Sequence, residues 1–131
     1  MIFALALAAW LGGMARFGLD TLIRRGKPGV LGIIVVNTIG SLLLGILAAL
    51  AGILHFRGGT FVAAPIDPPV WFTIVGVGFC GAFTTFSTAI LDVFALVRTR
   101  HWLRATGLLV LGVLTALGAA GLGVMVISSV G

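Results

Sequence analysis

The sequence predicts an all-α membrane protein of four transmembrane helices, with the third helix broken near mid-membrane. Three observations carry this reading. Of 131 residues, 60% are hydrophobic and 8% are charged, which lies outside the composition of ordinary soluble domains. The apolar residues are gathered into runs long enough for the roughly 20 helical residues that a bilayer core requires. The third run contains Gly81-Ala82-Phe83-Thr84-Thr85-Phe86-Ser87-Thr88, where glycine loosens the helix and hydroxyl side chains compete for its backbone hydrogen bonds.

The chain reads as a single four-span membrane domain over residues 1–131. The spans cover about 2–23, 30–54, 70–97 and 102–127, and the break falls near 81–85. The first run has no basic segment before it and continues past signal-peptide length, so it is expected to be a retained helix. Its Ala4, Ala8, Gly12, Arg16 and Asp20 recur every fourth residue and share one face. Small residues there suit close packing in lipid. Arg16 has two open readings: a snorkelling side chain paired locally with Asp20, or an intramembrane cation facing a wet vestibule. The second run carries Asn37, Ser41, Gly45 and Ala49 at the same spacing. Asn37 is costly in hydrocarbon without a partner. It reads either as a hydrogen bond between helices or as an amide donor to a passing anion.

In the third run, broken backbone is tolerated only where protein buries it or a polar cavity meets it. The stretch is therefore expected to offer freed carbonyls and hydroxyls to an ion, as discontinuous membrane helices do. Phe79, Phe83 and Phe86 recur at helical spacing. The ordinary reading is packing; beside Thr84, Thr85, Ser87 and Thr88, the positive ring edges also suit an anion path. Asp92 is either a helix-end residue or a group at a pore mouth. Cys80 reads as a small packed residue. The fourth run, with Gly112, Ala116 and Ala120 every fourth residue, reads as a packing helix.

The connections are 24–29, 55–69 and 98–101. The middle one, with Gly58-Gly59 and Pro65, Pro68 and Pro69, is expected to be an irregular external loop. The net charge of +5 does not indicate nucleic acid, because the basic residues sit at the ends of apolar runs. Arg24, Arg25, Lys27, Arg98, Arg100 and Arg104 fall on one side of the membrane, and Arg57 on the other. The excess of basic residues then puts the first and third connections in the cytoplasm and both termini outside. No nucleophile–base pair or cluster of metal ligands points to an enzyme, and His55 and His101 lie in connections.

At these motifs the chain resembles the small bacterial fluoride-channel family, Fluc, also called CrcB. The resemblance rests on Gly12-Gly13-Met14-Ala15-Arg16-Phe17, on Asn37-Thr38-Ile39-Gly40-Ser41, and above all on Gly78-Phe79-Cys80-Gly81-Ala82-Phe83-Thr84-Thr85-Phe86-Ser87-Thr88. It spans essentially the whole chain. It implies a multi-pass protein of the bacterial cell membrane, built as an antiparallel dimer in lipid, that lets fluoride leave the cell passively. It implies a central structural sodium ion, not transported, held by backbone at positions matching Gly81 and Thr84. The implied fluoride path matches Asn37, Phe86, Ser87 and Thr88. Arg16 matches a vestibule arginine, Asp92 stands where many members have Glu, and Ser41 and Phe83 are further candidates for the pore lining.

The chain departs from the family in two ways. Ala89 stands where a second pore phenylalanine belongs. The basic residues are also strongly one-sided, whereas members that form homodimers insert in both orientations. The partner is therefore either a second copy or a homologous, oppositely oriented chain. In the latter case this subunit keeps the sodium site and the packing faces while its own path is impaired. Two rivals stand beside the channel. One is a non-conducting structural subunit. The other is a small proton-coupled exporter, which would need a carboxylate deep in the membrane; Asp20, Asp67 and Asp92 lie toward span ends or in a loop.

Overall fold

The computed structural model describes residues 1–25, 31–64 and 66–130. Lys27, Pro65 and the expected start of the second span at Val30 lie outside them. Four helical spans are long and apolar enough to cross a membrane, Ile2–Ile23, Leu31–Leu50, Val70–Arg98 and Trp102–Val130. The molecule is a multi-pass, mostly helical membrane protein.

Helix α1 spans Ile2–Arg24 and ends at Arg25, which adopts a left-handed conformation and donates its backbone N–H to the Thr21 carbonyl. Helix α2 spans Leu31–Leu50, stopping short of the expected Leu54. Gly52 explains the stop. It sits at φ 73, its N–H bonds the Ala49 carbonyl and the next N–H, of Ile53, bonds the Ala48 carbonyl. That paired pattern around a left-handed glycine closes a helix.

The expected irregular loop is instead a β-hairpin. Strands β1 (Leu54–Arg57) and β2 (Thr60–Ala63) pair antiparallel, with Leu54 opposite Ala63 and Arg57 opposite Thr60. Gly58 and Gly59, at φ 60 and φ 84, supply the two left-handed residues of the tight turn that matches strand twist. The Phe56 and Phe61 rings meet at 5.0 Å. Phe61 covers Gly121, where a Cβ would lie 3.2 Å from the ring.

The third span is assembled from pieces. Helix α3 (Val70–Phe72) follows Pro69 and runs into a π-helical stretch, Thr73–Cys80, then helix α4 (Gly81–Phe83) and, after a break, helix α5 (Phe86–Arg98). Helix α6 is a continuous Trp102–Val130. The turn between α5 and α6 repeats the pattern seen at Gly52, with Arg100 in the left-handed position at φ 62 and the His101 N–H bonded to the Leu96 carbonyl.

Small residues decide which spans touch. A Cβ on Gly12 would collide with the Phe79 carbonyl, and one on Gly78 would lie 3.2 Å from Ala8, so α1 lies directly on the π-helical stretch. A Cβ on Gly45 would collide with the Ala120 carbonyl, and one on Gly123 would lie 2.6 Å from the Leu42 carbonyl. Helices α2 and α6 therefore meet backbone to backbone, the contact that small residues permit in lipid. The core is narrow: Ile33, Val36, Cys80 and Val124 are its most fully buried side chains. Large apolar residues such as Phe3, Trp10, Phe17, Leu103 and Leu117 face outward.

Candidate functional site

The break consists of two residues. Thr84 (φ −78, ψ 152) and Thr85 (φ −148, ψ 119) are both extended. In hydrocarbon their backbone groups need partners, and Asn37 supplies those of Thr85 from α2. The Thr85 N–H donates to Asn37 Oδ1 at 2.8 Å, and Asn37 Nδ2 donates to the Thr85 carbonyl at 3.0 Å. The side-chain amide thus pairs with Thr85 as a neighbouring strand would. This uses one of its two N–H groups. Both open readings of Asn37 are therefore compatible with its geometry: it bonds two helices and still holds a free donor.

The hydroxyls of Thr84 and Thr85 bond within their own segment. Thr84 gives both its N–H (2.9 Å) and its hydroxyl (3.0 Å) to the Cys80 carbonyl. The Thr85 hydroxyl caps α5 by accepting the Thr88 N–H at 3.4 Å. It donates to Thr88 Oγ1 at 3.3 Å and stands 3.2 Å from Ser87 Oγ. The cap satisfies one of the donors that every helix start leaves orphaned. In an unbroken helix, the Gly81 carbonyl would accept from Thr85 N–H and the Thr84 carbonyl from Thr88 N–H. Both donors are diverted here, to Asn37 and to the Thr85 hydroxyl. Gly81 is exposed, with nothing within 4 Å of the place a Cβ would occupy.

A cavity of about 230 Å³ opens beside the break. Asn37, Ser41, Thr84, Thr85, Phe86 and Ala89 line it. Its other wall comes from α6, through Leu108, Gly112 and Ala116, so the helix expected only to pack also closes this space. The structure thus brings together Asn37, Ser41, Thr84 and Phe86. Ser87 and Thr88 join them through the Thr85 hydroxyl but do not line the cavity. The other candidates lie elsewhere. Phe83 is 5% exposed, stacks on Phe79 at 5.8 Å and packs against Gly40; it belongs to the core and not to the cavity wall. The expected aromatic stripe therefore divides, since Phe86 starts the next helix and is 71% exposed. Arg16 is half-buried on α1, its Nε enclosed without a hydrogen-bond partner. Asp92 is half-buried on α5. Neither lines the cavity.

Thr85 and Gly40 are the residues that sequence reasoning undervalued. Thr85 carries a local signal, a threonine just before a helix start. Gly40 carries only its place in the Asn37-Thr38-Ile39-Gly40-Ser41 motif: its close approach to Thr84 Cγ2 and Phe83 shows why a side chain is excluded there.

Fold and site together define a small multi-pass membrane protein whose third span is opened around a polar centre held by its neighbour. A sequence profile described as CrcB-like protein, Camphor Resistance (CrcB), matches residues 3–124. The chain belongs to this CrcB-like family. It is 40% identical over 126 residues to fluoride-specific ion channel FluC 1 of Leifsonia xyli subsp. xyli, covering 94% of this chain and 83% of that protein. It is 38% identical over 123 residues to fluoride-specific ion channel FluC 2 of Cutibacterium acnes, covering 89% and 92%. The FluC of Thermococcus kodakarensis is 37% identical over 103 residues, covering 79% and 76%. These relatives are named as channels, not as enzymes.

Proposed function

We propose that the chain is a subunit of a passive, fluoride-selective channel. The observation that carries this reading is the gathering of Asn37, Thr85 and Phe86 around one cavity at a break inside the membrane. Fluoride is small and strongly hydrated, so a pore has to replace its water with close donors at a fixed spacing. The free N–H of Asn37 and the hydroxyls of Ser87 and Thr88 are donors of this kind. The Phe86 ring edge adds a weak positive field without a fixed cation that would trap the ion. The names borne by the relatives agree with this chemistry.

A structural sodium ion fits the same break. Hard cations favour oxygen ligands, and the carbonyls of Gly81 and Thr84 have both lost their helical donors. These two carbonyls would supply this chain's share of the ligands, and a second, antiparallel subunit the remainder. Bound there, sodium supplies positive charge and a cross-link between subunits; it is not transported. Exposed Gly81 and Phe86, on a span that crosses the bilayer, leave a surface for that subunit.

Ala89 favours a second reading of the partner. It lines the cavity at the position where the family carries another phenylalanine. With the basic residues of one-sided sequence placement, this supports a heterodimer in which the homologous chain completes the conducting path. Fluoride efflux from liposomes tests both readings, with chloride as control and Phe86→Ile beside the wild type. Selective efflux from the chain alone, lost in the variant, supports a homodimeric channel. Efflux only after co-expression with an oppositely oriented homologue supports the heterodimer. Absence of fluoride flux in both preparations overturns the channel reading.

A further inference from the structure

A second cavity, of about 710 Å³, lies between the hairpin and the ends of α2 and α6. It is independent of the break and of fluoride conduction. Its lining is divided by chemistry. Ala49, Val62 and Ile127 form an apolar part, and His55, Arg57 and Ser128 a polar part. No carboxylate stands among the described lining residues.

The polar part is held in place by the fold. Residues 55, 57 and 62 share one face of the hairpin, because strand residues alternate and His55 pairs with Val62. The outer edge of β1 is docked on α6, where the Phe56 N–H donates to Ser128 Oγ at 3.0 Å. Ser128 accepts that bond and keeps its own O–H to donate. His55 Nε2 is 3.1 Å from the Gly52 carbonyl, which ties the ring to the closed end of α2. Arg57 is exposed and carries five N–H donors.

The position selects the ligand. Leu50 and Val130 end two spans beside this cavity, so it lies at the membrane boundary. Trp71, at the start of the third span on the same side, is exposed as interfacial tryptophans are. At this depth the available anion is the phosphodiester of a lipid headgroup, and it arrives with an acyl chain suited to apolar walls. Arg57 is the only lysine or arginine of the sequence on this side of the membrane. Attraction here therefore depends on one side chain.

We infer that the cavity between the hairpin and α6 is a phospholipid-headgroup site, with Arg57 and Ser128 donating to the phosphodiester and Val62 and Ile127 contacting the upper acyl chain. The test is native mass spectrometry of the delipidated protein titrated with phosphatidylglycerol. Arg57→Gln is expected to lower lipid retention at least fivefold, and Arg57→Lys to restore most of it. Arg104→Gln, across the membrane, is expected to leave retention unchanged. Because Arg57 is exposed, these variants should keep the fold, which circular dichroism checks. Equal retention by wild type and Arg57→Gln overturns the inference. So does an equal loss in Arg104→Gln, which would indicate general charge attraction. Displacement of the lipid by millimolar inorganic phosphate would assign the cavity to a soluble anion and overturn it as well.

Discussion

Asn37 shows how one side chain can carry two tasks. An extended pair of residues inside a bilayer exposes backbone groups, each costing several kcal/mol if left unpaired. The Asn37 amide satisfies the Thr85 N–H and carbonyl together. Asn37→Ala should therefore destabilise the detergent-solubilised protein by about 2–4 kcal/mol, combining two lost bonds with two stranded backbone groups. An ionised Asn37→Asp would set a carboxylate oxygen against the Thr85 carbonyl inside the membrane, so it should cost at least as much as Asn37→Ala. Unchanged stability in Asn37→Ala would contradict the pairing. Thr85 is a cap as well as a partner, and Thr85→Ala should cost about 1 kcal/mol where Thr85→Ser costs little. Arg100 is the opposite case, a bulky residue at φ 62 where glycine is at ease. Arg100→Gly should raise stability by up to about 1 kcal/mol, read as a higher melting midpoint in detergent.

Among the elements, packing is set by where backbones can meet. Helices in lipid gain little from burying one apolar side chain against another, so close approach through small residues decides their association. Gly45 and Gly123 serve α2 against α6, while Gly12 and Gly78 serve α1 against the π-helical stretch. Gly45→Val should push α2 from Ala120 and carry Asn37 away from Thr85, since both sit on the same rigid helix. The expected result is loss of monodisperse protein on size exclusion. Gly107→Val is the control, because nothing lies within 4 Å of that Cβ position. Equal behaviour of the two variants would remove the argument.

For the whole molecule, the question is what meets the opened face of the third span. If a second subunit packs there about a two-fold axis, Gly81 lies near that axis. In a Cys80→Ser background, Gly81→Cys should form a disulfide-linked dimer under mild oxidation. Gly107→Cys, also exposed, should not. Crosslinking at both positions, or at neither, would argue against an axis at the break. The prediction tests the pairing of subunits separately from ion flux, so it holds for a homodimer even where Ala89 prevents conduction.

The four spans, the site of the break and the family were legible in the sequence because each rests on local signals. Apolar run length reports bilayer thickness. Glycine followed by hydroxyl residues reports a helix that fails, and basic residues report the ends of spans. The hairpin escaped notice although Gly58-Gly59 announces a tight turn, because the prolines after it suggested an irregular loop. The π-helical stretch has no local signature of comparable strength. What only the tertiary structure decided is which polar groups meet. Asn37 and Thr85 are 48 residues apart, and a sequence shows that an intramembrane asparagine needs a partner but not which one. The same holds for the aromatic stripe. Helical spacing put Phe79, Phe83 and Phe86 on one face, but two extended residues rotate Phe86 out of the core while Phe83 stays in it. Helical periodicity extends only as far as the helix itself, and at this centre the helix stops.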